Sequence, residues 1–190
     1  SFSTNRYETA LAQFGFIVIT VGNRGGHPHR SKWYHNYGYG NLRDYGLADK
    51  KVTIEQLADR HDFIDIDRVG IYGHSGGGFA SAAAILRYPD FFKVAVATAG
   101  NHDNRGYTYY WGEKWHGLLE RAEDGTDSYE RQANHLLAQN LRGRLLLAYG
   151  TMGGEGQPQT QAAMVTRIID FGYDVQQAIE APRWLRGRTW

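Results

Sequence analysis

The sequence predicts an α/β protein with a mostly parallel sheet. Three observations carry that prediction. Short, continuous apolar runs of strand length occur at 14–21, 68–73 and 94–100, and again at the end of 136–150. Helical periods lie between them, at about 42–63, 77–88 and 107–120. The chain also holds 24 glycines, which suit tight strand-to-helix turns. Strands that alternate with helices imply a parallel sheet, because parallel neighbours need a crossover between them.

In order along the chain, FGFIVITV (14–21) is rich in β-branched residues and bounded by Gly22 and Asn23. It reads as a strand buried on both faces. GNRGGHPHRSKWYHNYGYGN is Gly-rich and polar and reads as a long loop. From Leu42 to Phe63 the apolar positions Leu47, Val52, Leu57 and Phe63 recur within a helical period. RVGIYG (68–73) is a second buried strand, GGFASAAAILRY (77–88) a small-residue helix, and VAVATAG (94–100) a third strand. An aromatic helical region covers 107–120, and a fourth strand closes LLAQNLRGRLLLAYG (136–150). After Tyr149 the texture changes. TMGGEGQPQTQ (151–161) reads as a loop, AAMVTRIIDFG (162–172) as an amphipathic helix, and DVQQAIEAPRW (174–184) as a short helix ended by Pro182. With no further strand signal, the prediction is a truncated sheet followed by a short helical tail.

Composition narrows the functional classes. The 190 residues suffice for one domain with a hydrophobic core. Lys and Arg number 21 against 20 Asp and Glu, so net charge gives no reason to propose nucleic acid or a membrane surface as partner. The apolar fraction of 42% and charged fraction of 22% are those of a globular protein. With no cysteine, disulfides and thiolate metal sites are excluded. No apolar run is long enough to span a bilayer as a helix. SFSTNRYETALAQ lacks the basic start and apolar stretch of a signal peptide, and the chain does not begin with Met. It reads as a fragment or as a mature form. The composition also holds 13 Tyr, 8 Phe and 5 Trp, which suits pockets lined by rings.

The chemistry centres on Gly73-His74-Ser75-Gly76-Gly77, set between a strand and a helix. This is the G-x-S-x-G nucleophile elbow in the context that gives it meaning, and it points to an α/β-hydrolase fold. The serine sits on a tight turn, and glycine two residues before and after it is expected to avoid backbone clashes. The hydroxyl then stands above the sheet at the start of a helix, whose free N–H groups stabilise an oxyanion. Gly76 is the expected oxyanion donor and Ser75 the nucleophile.

Residues 1–152 resemble the catalytic domain of the prolyl oligopeptidase family, in its dipeptidyl-peptidase-like branch. FGFIVITVGNRGG is similar to the family's strand and D-x-R-G-type loop, with Asn23 where Asp is usual. IDIDRVGIYGHSGGGFAS resembles its strand and elbow, YPDFFKVAVATAG the strand after the nucleophile helix, and NLRGRLLLAYGTM the strand that leads to the catalytic acid. The resemblance implies cleavage of short peptides, commonly next to proline or another small residue, through an acyl-enzyme. It implies that Tyr107 and Trp111 wall the substrate pocket, as the matching aromatic positions of YTYYWGEKWHG. Ordinary core packing of an aromatic helix is the competing reading of that pair. The resemblance also implies an exported protein, for which the chain holds no signal. A peptide substrate is the expected partner, with no cofactor and no metal.

The hydrolase pattern then breaks. A serine needs a base within hydrogen-bond reach and an acid to orient that base. In α/β-hydrolases the order is Ser, then Asp or Glu, then His. Here Gly150-Thr151-Met152 runs into Gly153-Gly154, where the family has an acidic run, and the last histidine is His135. Acid and base are both missing, so the chain is expected to be inactive as written. His102, His116 and His135 precede the acid-bearing strand, and His102 reads either as a site-lining residue or as a loop anchor. His27, His29 and His35 lie in a Gly-rich loop without a carboxylate pair, and read as solvated more than as a metal site.

Residues 151–190 resemble the C-terminal part of γ-glutamyltransferase small subunits, with Gly153-Gly154 matching the pair that gives backbone donors to the oxyanion, and the tail domain is set at 153–190. A Gly-rich turn followed by two surface helices is the plainer reading. Gly150-Thr151-Met152 is the point where one pattern stops and the other starts. It reads as a join of two unrelated genes, by recombination or by misassembly of the sequence. A γ-glutamyl transfer fragment and a non-catalytic α/β-hydrolase module stand as alternatives to the peptidase.

Overall fold

The computed structural model describes residues 6–148, 163 and 166–181. A three-stranded parallel sheet lies at its centre, in the order β1 (Val69–His74), β2 (Phe92–Thr98), β3 (Arg144–Ala148). Among the described residues the helices with set bounds are α1 (Arg6–Gln13), α2 (Lys32–His35), α3 (Leu47–Ala58), α4 (Gly76–Arg87), α5 (Tyr109–His116) and α6 (Val175–Glu180). Short 3-10 turns connect several of them. This is the α/β class expected, and every strand pair is parallel.

The core sits between one face of the sheet and α4. Ala82, Ala83 and Ala84 carry so little side chain that the helix backbone approaches the strands closely. Ile85 and Phe79 fill the remaining space, and Ala95, Ala97 and Phe92 of β2 meet them, all fully buried. Leu47 at the start of α3 joins the same core, with Val69 and partly buried Ile54. Burying each large aliphatic or aromatic side chain here contributes about 1.5–3 kcal/mol. The register Tyr72↔Val96↔Leu146 defines the sheet's other face, on which Tyr72, Val94 and Leu146 are exposed.

One expected element does not form. Residues 16–23 carry no strand assignment, and Phe14, Phe16 and Ile17 are exposed. A buried strand needs a ladder partner for its N–H and C=O groups. Among the described residues β1 pairs only with β2, and no strand lies beside 14–21. Its β propensity is therefore unused, and Thr20 instead donates a hydrogen bond from its hydroxyl to Glu8 at 3.1 Å. In the tail, 163 and 166–169 are helical, as expected for 162–172. Helix α6 opens with a capping box between Asp174 and Gln177 and ends at Glu180. Pro182, expected to end it, lies outside the described residues, as do Gly150 through Gly154. Among the described residues no helix is long and apolar enough to cross a membrane.

Candidate active site

Ser75 joins β1 to α4 with φ 56° and ψ −122°, a backbone conformation that L side chains rarely adopt. Holding a serine there costs about 1–3 kcal/mol. Two hydrogen bonds fix the turn: Ser75 N–H donates to the Thr98 carbonyl at 2.8 Å, and the Ser75 carbonyl accepts from Phe79 N–H at 3.0 Å. A serine before a helix ordinarily caps it with its hydroxyl. Ser75 makes no such side-chain cap bond. Its hydroxyl is thus not committed to its own helix, and Gly76 directly after it is the first residue of α4. The opening N–H groups of a helix have no intrahelical acceptor and face whatever lies beyond the end.

The glycines around the turn differ from expectation in which of them the packing requires. A Cβ on Gly73 would lie 2.3 Å from the Gly77 carbonyl oxygen, so nothing larger than glycine fits at 73. A Cβ on Gly77 meets nothing within 4 Å. Gly77 is crowded through its backbone, not at its side-chain position. The second steric requirement falls on Gly78, where a Cβ would stand 2.5 Å from the Thr98 carbonyl oxygen. That contact lets the first turn of α4 lie against the end of β2. The run Gly76-Gly77-Gly78 was the sequence signal for it.

Thr98 is a support that the sequence reading did not single out. Its carbonyl takes the Ser75 N–H. Its hydroxyl donates to the Gly73 carbonyl at 3.2 Å and lies 2.9 Å from His74 Nδ1. Beyond it Ala99 adopts φ 49°, and its N–H donates to the Ala148 carbonyl at 2.8 Å. No local signal in the sequence marks either role.

The aromatic pair lies beside the serine turn. Trp111 Cζ2 is 3.8 Å from the Cβ position of Gly76. Tyr107 meets Trp111 edge-on, with centroids 5.6 Å apart and planes at 86°. Tyr107 is exposed and Trp111 half-buried, and Trp111 stands against the serine turn.

Among the described residues no histidine is hydrogen-bonded to Ser75. His74 is turned to Thr98. His102 ties the segment after β2 to Asn134: the Asn134 amide donates to the Phe79 carbonyl at 2.9 Å and to His102 Nδ1 at 2.8 Å. Because Nδ1 accepts, the ring proton sits on Nε2. Burial depresses the pKa of His102. His116 is buried, and its Nε2 accepts from the Asn104 amide at 2.6 Å. Burial depresses its pKa too. His135 is exposed, with Nδ1 3.7 Å from Asp103. His27 and His29 are exposed and meet edge to face at 5.3 Å. Among the described residues there is no group of three His, Asp or Glu arranged to hold a metal ion.

The sequence profile of the prolyl oligopeptidase family matches residues 1–181. Dipeptidyl peptidase 8 of Homo sapiens is 34% identical over 174 residues, which is 87% of this chain and 19% of that protein. The crystal structure of Porphyromonas gingivalis dipeptidyl peptidase 4 superposes with a TM-score of 0.67 at 25% identity, over 77% of this chain and 20% of that one. The chain therefore spans about a fifth of the length of these relatives. A separate alignment of 48 residues, a quarter of this chain, is 60% identical to the glutathione hydrolase-like YwrD proenzyme of Bacillus subtilis, over 9% of that protein. It supports the γ-glutamyltransferase resemblance of the tail. The elbow geometry, the parallel sheet and the profile match agree: the chain belongs to the prolyl oligopeptidase family.

Proposed function

We propose that this chain is the nucleophile-bearing part of a serine peptidase that hydrolyses short peptides through an acyl-enzyme on Ser75. The observation that carries the reading is the strained Ser75 turn with its hydroxyl left off the helix cap. In this reading Ser75 Oγ attacks the scissile carbonyl as a base takes its proton. The C–O bond forms, and the carbonyl electrons move onto the oxygen. Gly76 N–H donates to that oxyanion, the amine leaves with the proton, and water later hydrolyses the ester. Tyr107 and Trp111 wall the pocket for the residue before the scissile bond. Two aromatic rings set edge to face suit proline or a small apolar side chain. We place the peptidase part at 1–152 and the γ-glutamyltransferase-like tail at 153–190.

The step as written lacks its base. We therefore expect the chain itself to be inactive, and grafting onto residue 152 a relative's segment that carries acid and base to restore function. A fluorophosphonate probe, which labels only an activated serine, tests this. Labelling should be absent in the chain, present in the graft, and lost from the graft on Ser75→Ala. A graft that folds but never labels would reject the assignment of Ser75. The tail alignment favours a second reading, a fragment of a γ-glutamyl-transferring enzyme. Turnover of a γ-glutamyl anilide that persists in Ser75→Ala would support that reading instead.

A further inference from the structure

A cavity of about 220 Å³ lies between the segment at 35–45 and the last turn of α5. Trp111, which approaches Gly76, has its ring centroid 6.5 Å from that of Trp115, which lines the cavity. None of the roles argued for Ser75, Gly76, Tyr107 or Trp111 uses this space.

The walls are built rather than incidental. Tyr39, Tyr45, Trp115 and Leu42 supply apolar surface. Tyr45 is clamped between two glycines. A Cβ on Gly38 would fall 2.6 Å from its ring and one on Gly25 3.2 Å from it, and Gly25 has φ +83°. The ring is therefore held in place by backbone on both sides. The loop is pinned to α5 as well, where Gly40 N–H donates to the Trp115 carbonyl at 3.2 Å.

The described polar groups that line this space include an ammonium and no carboxylate. Lys114, His35 and Asn36 line it, and none of the described lining residues carries a carboxylate. The Lys114 ammonium stands over the Trp115 ring, 5.1 Å from its centroid, so its charge is held at the wall. Nearby acids are engaged elsewhere. Asp44 accepts from Arg43 at 2.9 Å through both oxygens, and Asp49 accepts from Arg24 at 2.7–3.1 Å. Glu113, next to Lys114 in α5, is not part of the lining.

We propose that this cavity is a binding site for a small aromatic carboxylate, whose ring lies among Tyr39, Tyr45 and Trp115 and whose carboxylate pairs with Lys114. The volume sets the size, since it is smaller than a pocket for a drug-sized ligand and admits a single ring with a short substituent. The charge sets the sign. An anion meets the cation it needs, whereas a ligand cation would find none of its own counter-charges.

Titration calorimetry of the full chain with benzoate tests the site. Saturable binding of one benzoate per chain is expected. Lys114→Met should weaken it about tenfold, the loss of one charge-assisted contact. Lys114→Arg should keep it, and Ser75→Ala should leave it unchanged, since the serine takes no part. Lys114 is exposed on α5, so its substitution leaves the fold intact. Absence of saturable binding, equal affinity in Lys114→Met, or equal binding of benzylamine would each overturn the proposal. Loss of benzoate binding in Ser75→Ala would move the ligand to the serine turn and overturn it as well.

Discussion

At the residue scale, the serine turn stores strain that substitution can release. Ser75 holds φ 56°, and glycine reaches such angles without the Cβ penalty. Ser75→Gly should therefore be more stable than Ser75→Ala by about 1 kcal/mol, with both lacking a nucleophile. Chemical denaturation of the two variants measures the difference. The glycines next to it separate just as cleanly. Gly73→Ala drives a Cβ into the Gly77 backbone and should destabilise by about 3 kcal/mol. Gly77→Ala meets open space and replaces a poor helix former near the start of α4, so it should be neutral or stabilise by up to about 1 kcal/mol. The motif G-x-S-x-G identified the turn from sequence. It did not show that the second steric requirement falls on Gly78. That depends on where the Thr98 carbonyl lies, 20 residues further along the chain.

At the element scale, two apolar runs of similar composition have opposite fates. Residues 94–98 lie in β2, paired on both sides and backed by α4. Residues 14–21 have no strand partner among the described residues and leave Phe16 and Ile17 exposed. Ile17→Lys should thus change stability by less than about 0.5 kcal/mol. Ala95→Asp, which buries an unpaired carboxylate in the core, should prevent folding. Circular dichroism melts of the two proteins read the contrast, and a large loss in Ile17→Lys would restore the strand reading. Runs of this kind were legible as β-competent because strand propensity is local. Whether one is used depends on a neighbour, and sequence pattern does not supply that.

At the scale of the whole molecule, buried histidines link the fold to pH. His102 and His116 both have pKa values depressed by burial from the ordinary 6.5. The folded state then binds fewer protons than the unfolded chain between the depressed value and 6.5. Stability is therefore complete above that range and falls as pH drops through it. The thermal midpoint should decline from pH 7.5 to 5, and His116→Gln, which removes one of the two buried imidazoles, should flatten the decline. Asp103 acts in a lower window. Its pKa is depressed by hydrogen bonds from Arg105, so its contribution is present above the usual carboxylate range and lost on further acidification. Four histidines are engaged in the architecture, at Thr98, Asn134, Asn104 or Asp103, and His27, His29, His35 and His61 are exposed.

The sequence by itself determined the α/β class, the nucleophile elbow and the family. Each of these is written in local order: periodicity, spacing and which residue follows which. Only the tertiary structure decided that 14–21 stays out of the sheet, that Gly78 and Thr98 hold the serine turn, and that Trp111 stands against Gly76. It also brought Lys114 of α5 and Tyr45, nearly 70 residues earlier in the chain, to the lining of one cavity. These depend on contacts between distant segments, where a carbonyl or a ring in one element sets the space left for another. No local pattern encodes such a distance.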